Sequence, residues 1–440
     1  MDILALNETL VTYLFGTSII AIVLGVYFFM KFRQARRTIS LISEADKTGK
    51  RNPLLLHPQF DLAACIGCGV CTKVCPEGDV LGLVNGKVAI VHGARCIGIG
   101  ECARECPVGA IIIGLGDIST RDDIPQLSEN LESNIPGLFV IGELTGMALI
   151  KNALAHGTSV IDHIHATGSE NAHVVIIGAG PAGMTAALRC IEKKIDHTLV
   201  DQGAPGGTIL HYPKRKLTLV QPVKLPLYGT LNKGEYTKEK LLEMWLHLIT
   251  KYKINLKEPY RLTAIDKTET GFIVKTDKSD IPCTHVLLAL GRRGTPRKLN
   301  VPGEMMEKVA YKLIDASTYN DNNLLIVGGG DSAIEAAVGL AAQHGNKVTI
   351  SYRKENFFRI KKRNEDQIND MIKRKKIDAI FSSQVTEIHE DKVILKKGDD
   401  VIELPNDYVF VFAGGIPPFS LLHEIGIRFG EVVESKVDVN

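Results

Sequence analysis

The stretch His173-Val-Val-Ile-Ile-Gly-Ala-Gly-Pro-Ala-Gly183 decides how the rest of the chain is read. Val174 to Ile177 is a short apolar run, Gly178, Gly180 and Gly183 make a turn, and Met184, Ala187, Leu188 and Ile191 follow at helical spacing. A strand, a tight turn and a helix in that order form a phosphate cradle. The first glycine permits the turn, the second lets backbone approach a pyrophosphate, the third lets helix pack on strand, and the helix N-terminus favours negative charge. A second short strand ends at Leu199, Val200 and Asp201, and this carboxylate has the spacing of one that bonds a ribose hydroxyl. The glycine pattern alone is weak and also describes an ordinary turn. With the strand before, the helix after and the acid downstream, it predicts a bound dinucleotide.

The pattern recurs further along. Leu324 to Val327 enter Gly328, Gly330 and Ala333 in the form G-x-G-x-x-A, with a helix expected from Ile334 to Ala342. The next strand, Val348 to Tyr352, has no acid at its end. Arg353 and Lys354, with Arg359 nearby, could pair a 2′-phosphate, which favours NADPH and leaves NADH open, a merely solvated basic face being the competing reading. Val409 to Gly415, with Pro417 and Pro418, is expected to return the chain to the first dinucleotide domain.

Upstream lie seven of the nine cysteines. Cys65, Cys68, Cys71 and Cys75 followed by Pro76 read C-x2-C-x2-C-x3-C-P, and Cys96, Cys102 and Cys106 followed by Pro107 nearly repeat it. Such crowding is ligand-like and unlike a disulfide framework spread over a secreted fold. Paired C-x-x-C also makes zinc sites, but the three-residue gap and the proline after each run favour iron. The run resembles bacterial two-cluster ferredoxins, in which the fourth cysteine of each run ligates the other run's cluster. The resemblance implies one [4Fe-4S] on Cys65, Cys68, Cys71 and Cys106. A second cluster would sit on Cys96, Cys102 and Cys75, with Ile99 where a ligand should be. That site is expected to hold [3Fe-4S], or [4Fe-4S] with a non-protein ligand, or to fill poorly.

Thr9 to Met30 contains no charged residue and, at 1.5 Å per residue, is long enough to cross a hydrocarbon core of about 30 Å. Asp2 and Glu8 precede it, and Lys31, Arg33, Arg36 and Arg37 follow, so the remainder of the chain is expected on the cytoplasmic side of the cell inner membrane, single-pass. A cleaved signal peptide would carry its basic residues first. Ser40 to Phe60 reads as a polar linker. With 52 basic and 50 acidic residues in 440, the net charge of +2 gives no field that favours nucleic acid.

Residues Val174 to Phe429 resemble flavoproteins of the thioredoxin reductase type, a group that includes one type of ferredoxin-NADP reductase. Val286 to Gly291 and Pro302-Gly303-Glu304 match the strand and exit by which such chains leave their FAD domain. Gly206 and Gly207 open a stretch rich in proline and basic residues that contains His211 and Tyr212, which could touch the flavin or be structural. Ile135 to Glu143 matches a strand that in this family lies near the C-terminus and closes the FAD site, implying a circular permutation. By that resemblance Gly142 ends the strand, Glu143 accepts hydrogen bonds from the ribityl chain, and a helix over Met147 to Ala155 aims its dipole at the flavin. Thioredoxin reductases carry a C-x-x-C pair near the second dinucleotide domain, and bacillithiol disulfide reductase-like relatives a cysteine in the first glycine motif. Here Val309 to Asp331 has no cysteine and the motif has Ala182.

The expected architecture is α/β: two Rossmann-like dinucleotide-binding domains, one inserted in the other, a small α+β ferredoxin-like domain and an N-terminal transmembrane helix. The expected bounds are 1–40 for the anchor, 41–60 for the linker, 61–116 for the iron-sulfur domain, 117–299 and 407–440 for the FAD domain (117–168 permuted), and 300–406 for the NAD(P) domain. The expected function is an NAD(P)H-dependent FAD and iron-sulfur oxidoreductase serving an electron-transfer protein or a quinone-linked acceptor, with a homodimer left open. Hydride transfer needs stacked rings more than an acid or base, so no catalytic side chain is named. A redox-sensing or docking flavoprotein without sustained turnover is one alternative. A disulfide reductase using Cys190 or Cys283 is the other.

Overall fold

The computed structural model describes the chain except residues 1–2, 54–55, 116–122, 169–171, 213, 215–216, 221, 233, 293, 359 and 431–440, with backbone alone at 3–10, 217–220 and 295. Two compact units result, Met1–Gly114 and Leu115–Asn440.

The first unit opens with one unbroken helix, α1 (Ile3–Lys47). Its apolar part is exposed along Val11 to Met30, and by length and composition alone the helix is long and apolar enough to cross a membrane. The stretch beginning at Ser40, expected as linker, is instead helix as far as Lys47. Thr38, Leu41, Ile42 and Ala45 recur at i, i+3, i+4 and i+7, Thr38 and Ala45 are buried, and Thr38 packs so closely on Gly82 that any side chain at 82 would collide with it. The polar composition that reads as a tether is the wet side of a docked helix. Beyond it, His57–Phe60 pairs antiparallel with Ile111–Gly114, and Leu81–Val84 with Lys87–Ile90. Asn85 and Gly86 turn the second hairpin at φ 50° and 75°, as a two-residue type I′ loop requires. Two short helices, α2 (Val70–Val74) and α3 (Glu101–Arg104), each follow a left-handed glycine, Gly69 and Gly100.

The second unit contains two five-stranded parallel sheets. In the first the order is Leu256–Lys257, Asp196–Val200, His173–Ile177, His285–Leu288, Leu138–Val140. These strands are nearly all apolar because both faces are covered. On one side lie α4 (Ile150–Ala166), α5 (Pro181–Lys193) and α6 (Lys238–Tyr252), with Leu154, Ile161, Leu188 and Trp245 in the core. On the other lies an antiparallel sheet of Leu262–Lys267, Phe272–Thr276 and Asp280–Cys283, with Phe272, Val274 and Val286 in the core.

The second sheet runs Val309–Ala310, Tyr408–Val411, Asn323–Val327, Lys347–Tyr352, Ile377–Phe381. Its faces are covered by α7 (Asp331–Ala341) and α8 (Lys362–Lys373), and by an antiparallel sheet from Ser383 to Pro405. Leu325 and Ile326 belong to the two opposite cores, the alternation a buried strand imposes. Tyr408–Val411, expected to lie in the returning segment, is a central strand of this second sheet. Asp407 accepts from the Asn323 backbone N–H (2.6 Å) and Lys308 Nζ donates to the Asn406 carbonyl (2.9 Å), fixing it there. The chain leaves only at Gly415–Ile416, paired antiparallel with Thr295–Pro296, after which α9 (Phe419–Ile425) puts Leu422 into the first sheet's core.

Candidate functional site

In the first unit the seven cysteines fall into two groups. Cys65, Cys68, Cys71 and Cys106 line one cavity with Leu83, Val88 and Ile111. The Cys71 thiol is pushed up to about 11 by burial first and then by Cys102, Cys68, Cys65 and Cys106, so the members of the two runs are electrostatic neighbours. Cys102 is raised to about 11 by burial and then by Cys96 and Cys75. Ligation requires thiolates, and the like charge this would crowd around Cys71 and Cys102 is what bound iron would offset. Among the described residues no three His, Cys, Asp or Glu side chains close tightly enough around a point to hold a single metal ion. The four cysteines of the first group share one cavity lining, and the donor set fits iron-sulfur chemistry. Ile99 is half-buried in the second run and offers no ligand atom.

In the second unit Gly178, at φ 109°, turns the chain where a Cβ would strike the Ala289 carbonyl oxygen, and a Cβ at Gly183 would strike that of Gly178. These glycines let α5 start directly above the strand, with Pro181 in its first turn and its early amide N–H groups facing the turn. Gly206 donates its N–H to the Ala179 carbonyl (2.9 Å), and Gly207 lies so close to Gly180 that a Cβ would come 2.8 Å from the Gly180 Cα. Asp201 sits where the spacing predicts. Its Oδ2 accepts from the Ala179 N–H (2.6 Å) and its Oδ1 from the Gly203 N–H (2.8 Å). Burial raises this carboxyl, and the two amide bonds oppose the rise. Asp201 thus braces the glycine turn, and the remaining lone pairs are what it could offer a ribose.

Ile141 donates to the Leu288 carbonyl (3.0 Å), continuing the edge strand, and Gly142 comes against Ala182 in the first turn of α5. Gly142 and Glu143 are therefore brought beside the first glycine motif. Both lie in a 3-10 turn, Gly142–Thr145, that precedes α4, which begins at Ile150 and runs to Ala166 rather than spanning Met147 to Ala155. The Gly142 N–H donates to Nδ1 of His156 on α4 (3.2 Å), and burial pushes that imidazole down to about 4, so it is a neutral acceptor at neutral pH. Gly291 follows the strand His285–Leu288. The next residue, Arg292, donates to the Asp123 carboxylate (2.6 Å) and carbonyl (3.0 Å) and lies over the Phe419 ring.

The second glycine motif opens on a cavity of about 1130 Å³. Gly328, Gly330 and Ala333 line it together with Arg353 and Lys354. Gly328 donates its N–H to the Ser351 carbonyl (3.0 Å), which aligns the end of the Lys347–Tyr352 strand with the turn and carries Arg353 and Lys354 past it. A Cβ at Gly330 would meet only open space, leaving room at the N-terminus of α7. The Lys354 Nζ lies 3.8 Å from the Phe358 ring centroid, which holds the side chain in place. Arg359 lies outside the described residues. His211 and Tyr212 line the same cavity, so the loop after the first motif faces the second.

Arg297, Lys298 and Lys312 also line this cavity and were not singled out from the sequence. The basic run Arg292 to Lys298 was the available signal. His156 carried none, since nothing in a lone helical histidine names its partner.

Residues 175–438 match the family model for pyridine nucleotide-disulphide oxidoreductases, and residues 57–107 match the model for a 4Fe-4S dicluster domain. The chain is 26% identical over 260 residues to the bacilliredoxin reductase Bdr of Bacillus subtilis, covering 58% of this chain and 80% of that one. It is 28% identical over 274 residues to the ferredoxin-NADP reductase of Acholeplasma laidlawii, covering 60% and 80%. Among solved structures, bacillithiol disulfide reductase Bdr of Staphylococcus aureus matches at 27% identity with a TM-score of 0.52, over 58% of this chain and 80% of that one. The chain therefore belongs to the pyridine nucleotide-disulphide oxidoreductase family, as an FAD- and NAD(P)-dependent oxidoreductase that also carries a 4Fe-4S dicluster domain.

Proposed function

We propose that this chain is a membrane-anchored NADPH oxidoreductase that passes single electrons to a membrane-associated acceptor, either quinone-linked or an electron-transfer protein. The observation that carries the reading is that one chain holds a nucleotide cavity lined by Arg353 and Lys354 and also two groups of clustered cysteines. Bound FAD would exchange a hydride for single electrons, which iron-sulfur clusters carry one at a time.

The chain's own residues bind and orient. Gly178, Gly180, Gly183, Asp201, Gly206, Gly207, Gly291, Gly142 and Glu143 would hold FAD. Gly328, Gly330, Ala333, Arg353, Lys354 and Arg359 would hold NADPH. Cys65, Cys68, Cys71 and Cys106 would hold one cluster, and Cys75, Cys96 and Cys102 the second, whose type turns on the Ile99 position. The edge strand Leu138–Val140, which precedes the first motif in sequence yet lies beyond the last strand of its sheet, supports a circular permutation. The exposed apolar part of α1 supports the anchor, and Lys31 to Arg37 support a cytoplasmic catalytic part.

Disulfide reduction is less well supported. Outside the cluster module the chain has only Cys190 and Cys283, both buried, with thiols raised by burial, that of Cys283 to about 12. The test is an anaerobic titration with NADPH and NADH followed by electron paramagnetic resonance. Flavin bleaching followed by cluster signals is the expected result. A flavin inert to both nucleotides would favour the sensing alternative.

A further inference from the structure

Where the apolar run of α1 gives way to basic residues, the first unit has a groove of about 530 Å³ lined by Phe28, Phe29, Lys31, Phe32, Gln34, Ala35, Leu83, Asn85 and Gly86. We propose that this groove binds the ring of a lipid-soluble quinone, beside the wall that separates it from the four-cysteine cavity.

The lining suits an amphiphilic ring. Phe28, Lys31, Phe32 and Ala35 fall at i, i+3, i+4 and i+7, on one face of α1. Aromatic and aliphatic side chains supply the apolar bed, Lys31, Gln34 and Asn85 supply donors for a quinone carbonyl, and among the described residues no acid lines the groove to repel its electron-rich oxygens. The volume falls within the range of small-molecule sites. Lys31 lies over Tyr27, Arg33 over Phe29 and Arg36 over Phe32 at 5.1, 5.8 and 4.4 Å from the ring centroids. Such aromatic and basic pairs mark the level where hydrocarbon meets headgroups, so a ring carrying an isoprenoid tail reaches the groove sideways while its tail stays in the bilayer.

The opposite wall makes this a redox site rather than a resting place for lipid. Leu83 lines both the groove and the cavity of Cys65, Cys68, Cys71 and Cys106. The hairpin turn beyond it presses the Gly86 carbonyl onto Gly67 inside the cysteine loop, where only a glycine avoids a collision. Lys87, next in the strand, donates from Nζ to the Cys65 carbonyl (2.6 Å). Leu83 and the Gly86–Gly67 contact thus form the wall between the two sites. The overall step balances as NADPH + H⁺ + quinone → NADP⁺ + quinol. The quinone gains two electrons and two protons, its two C=O groups become C–OH, and the nicotinamide is oxidised.

This inference rests on the membrane-anchored reading above and is tested separately from it. The full chain, with its cofactors, is embedded in phospholipid nanodiscs and photolabelled with an azido naphthoquinone bearing a short isoprenoid tail, without NADPH. Label is expected on the peptides of Phe28–Ala35 and Leu81–Lys87, displaced by the unlabelled quinone but not by added phospholipid. Ala35→Trp fills the groove from α1 without touching the cysteine cavity. It is expected to abolish that label and raise the KM for quinone by about tenfold or more, while iron content and NADPH-dependent ferricyanide reduction stay unchanged. Label that lands elsewhere, that phospholipid displaces, or that Ala35→Trp leaves intact overturns the site. Failure of NADPH to reduce ferricyanide would overturn the preceding reading instead, and the labelling, which needs no turnover, still reports on the groove.

Discussion

Replacing Arg353 and Lys354 together by glutamine should convert the enzyme from preferring NADPH to accepting NADPH and NADH about equally. Both side chains line the nucleotide cavity just past the strand whose end is tied to Gly328, and Lys354 is held against Phe358. A charge-assisted hydrogen bond contributes about 1.5 to 3 kcal/mol, and both side chains are exposed at the cavity mouth, so the lower end applies to each. Each loss is then about tenfold in kcat/KM for NADPH and the pair about a hundredfold, at 1.4 kcal/mol per tenfold, provided the two act independently. NADH has no 2′-phosphate and should be unaffected. The assay is anaerobic stopped-flow bleaching of the flavin with each nucleotide. Raising ionic strength should weaken NADPH selectively in the parent enzyme and lose that selectivity in the variant. The reasoning fails if the parent shows no preference for NADPH, or if the double variant loses NADH reduction to the same degree.

Cys106→Ser should remove the cluster assigned to the first run, and Cys75→Ser the cluster assigned to the second, each leaving the other's paramagnetic signal in place. Loss of the signal from the mutated residue's own run would refute the crossed ligation. Cys190→Ala combined with Cys283→Ala should leave NADPH-dependent acceptor reduction within twofold or so of the parent, since buried unionised thiols contribute no nucleophile; a tenfold loss would restore the disulfide reductase alternative. His156 binds its proton less tightly folded, near 4, than unfolded, near 6.5. Its contribution to stability is therefore complete above pH 6.5 and is lost as pH falls towards 4, by about 3 kcal/mol at order of magnitude. Thermal melts from pH 7 to 4 should show that acid loss, and His156→Gln, which keeps an acceptor for the Gly142 N–H, should flatten it. An unchanged acid profile in the variant would mean that other groups govern the loss.

Much of this was legible because the informative residues are locally constrained. Gly178 and Gly183 are where they are because nothing larger fits, and the cysteines cluster because ligation requires it, so both patterns survive in the linear sequence. What was not legible depends on distant partners. Val409 to Val411 is an apolar run that any buried parallel strand would show, and periodicity does not say which sheet it joins. Ser40 to Lys47 reads as tether because a helix docked on one narrow face keeps most of its side chains wet. The Asn85-Gly86 turn between Leu81–Val84 and Lys87–Ile90 is a strong local hairpin signal, but what its tip packs against is set by the distant Gly67. Lys312 comes from a different segment than the adjacent pair Arg297 and Lys298, and it meets them only in the folded cavity.

The continuity of α1 has a mechanical consequence. A helix transmits heading as well as distance, so the direction in which the cysteine lobe faces is locked to the orientation of the apolar segment. One residue inserted between Met30 and Lys31 would turn the cysteine lobe by about 100° and pull Phe28 and Phe29 out of line with Phe32. Seven inserted residues, close to two full turns, would restore the heading while raising the lobe by about 10 Å. Activity that returned with the seventh residue but not the first would mark α1 as a drive shaft and not a leash.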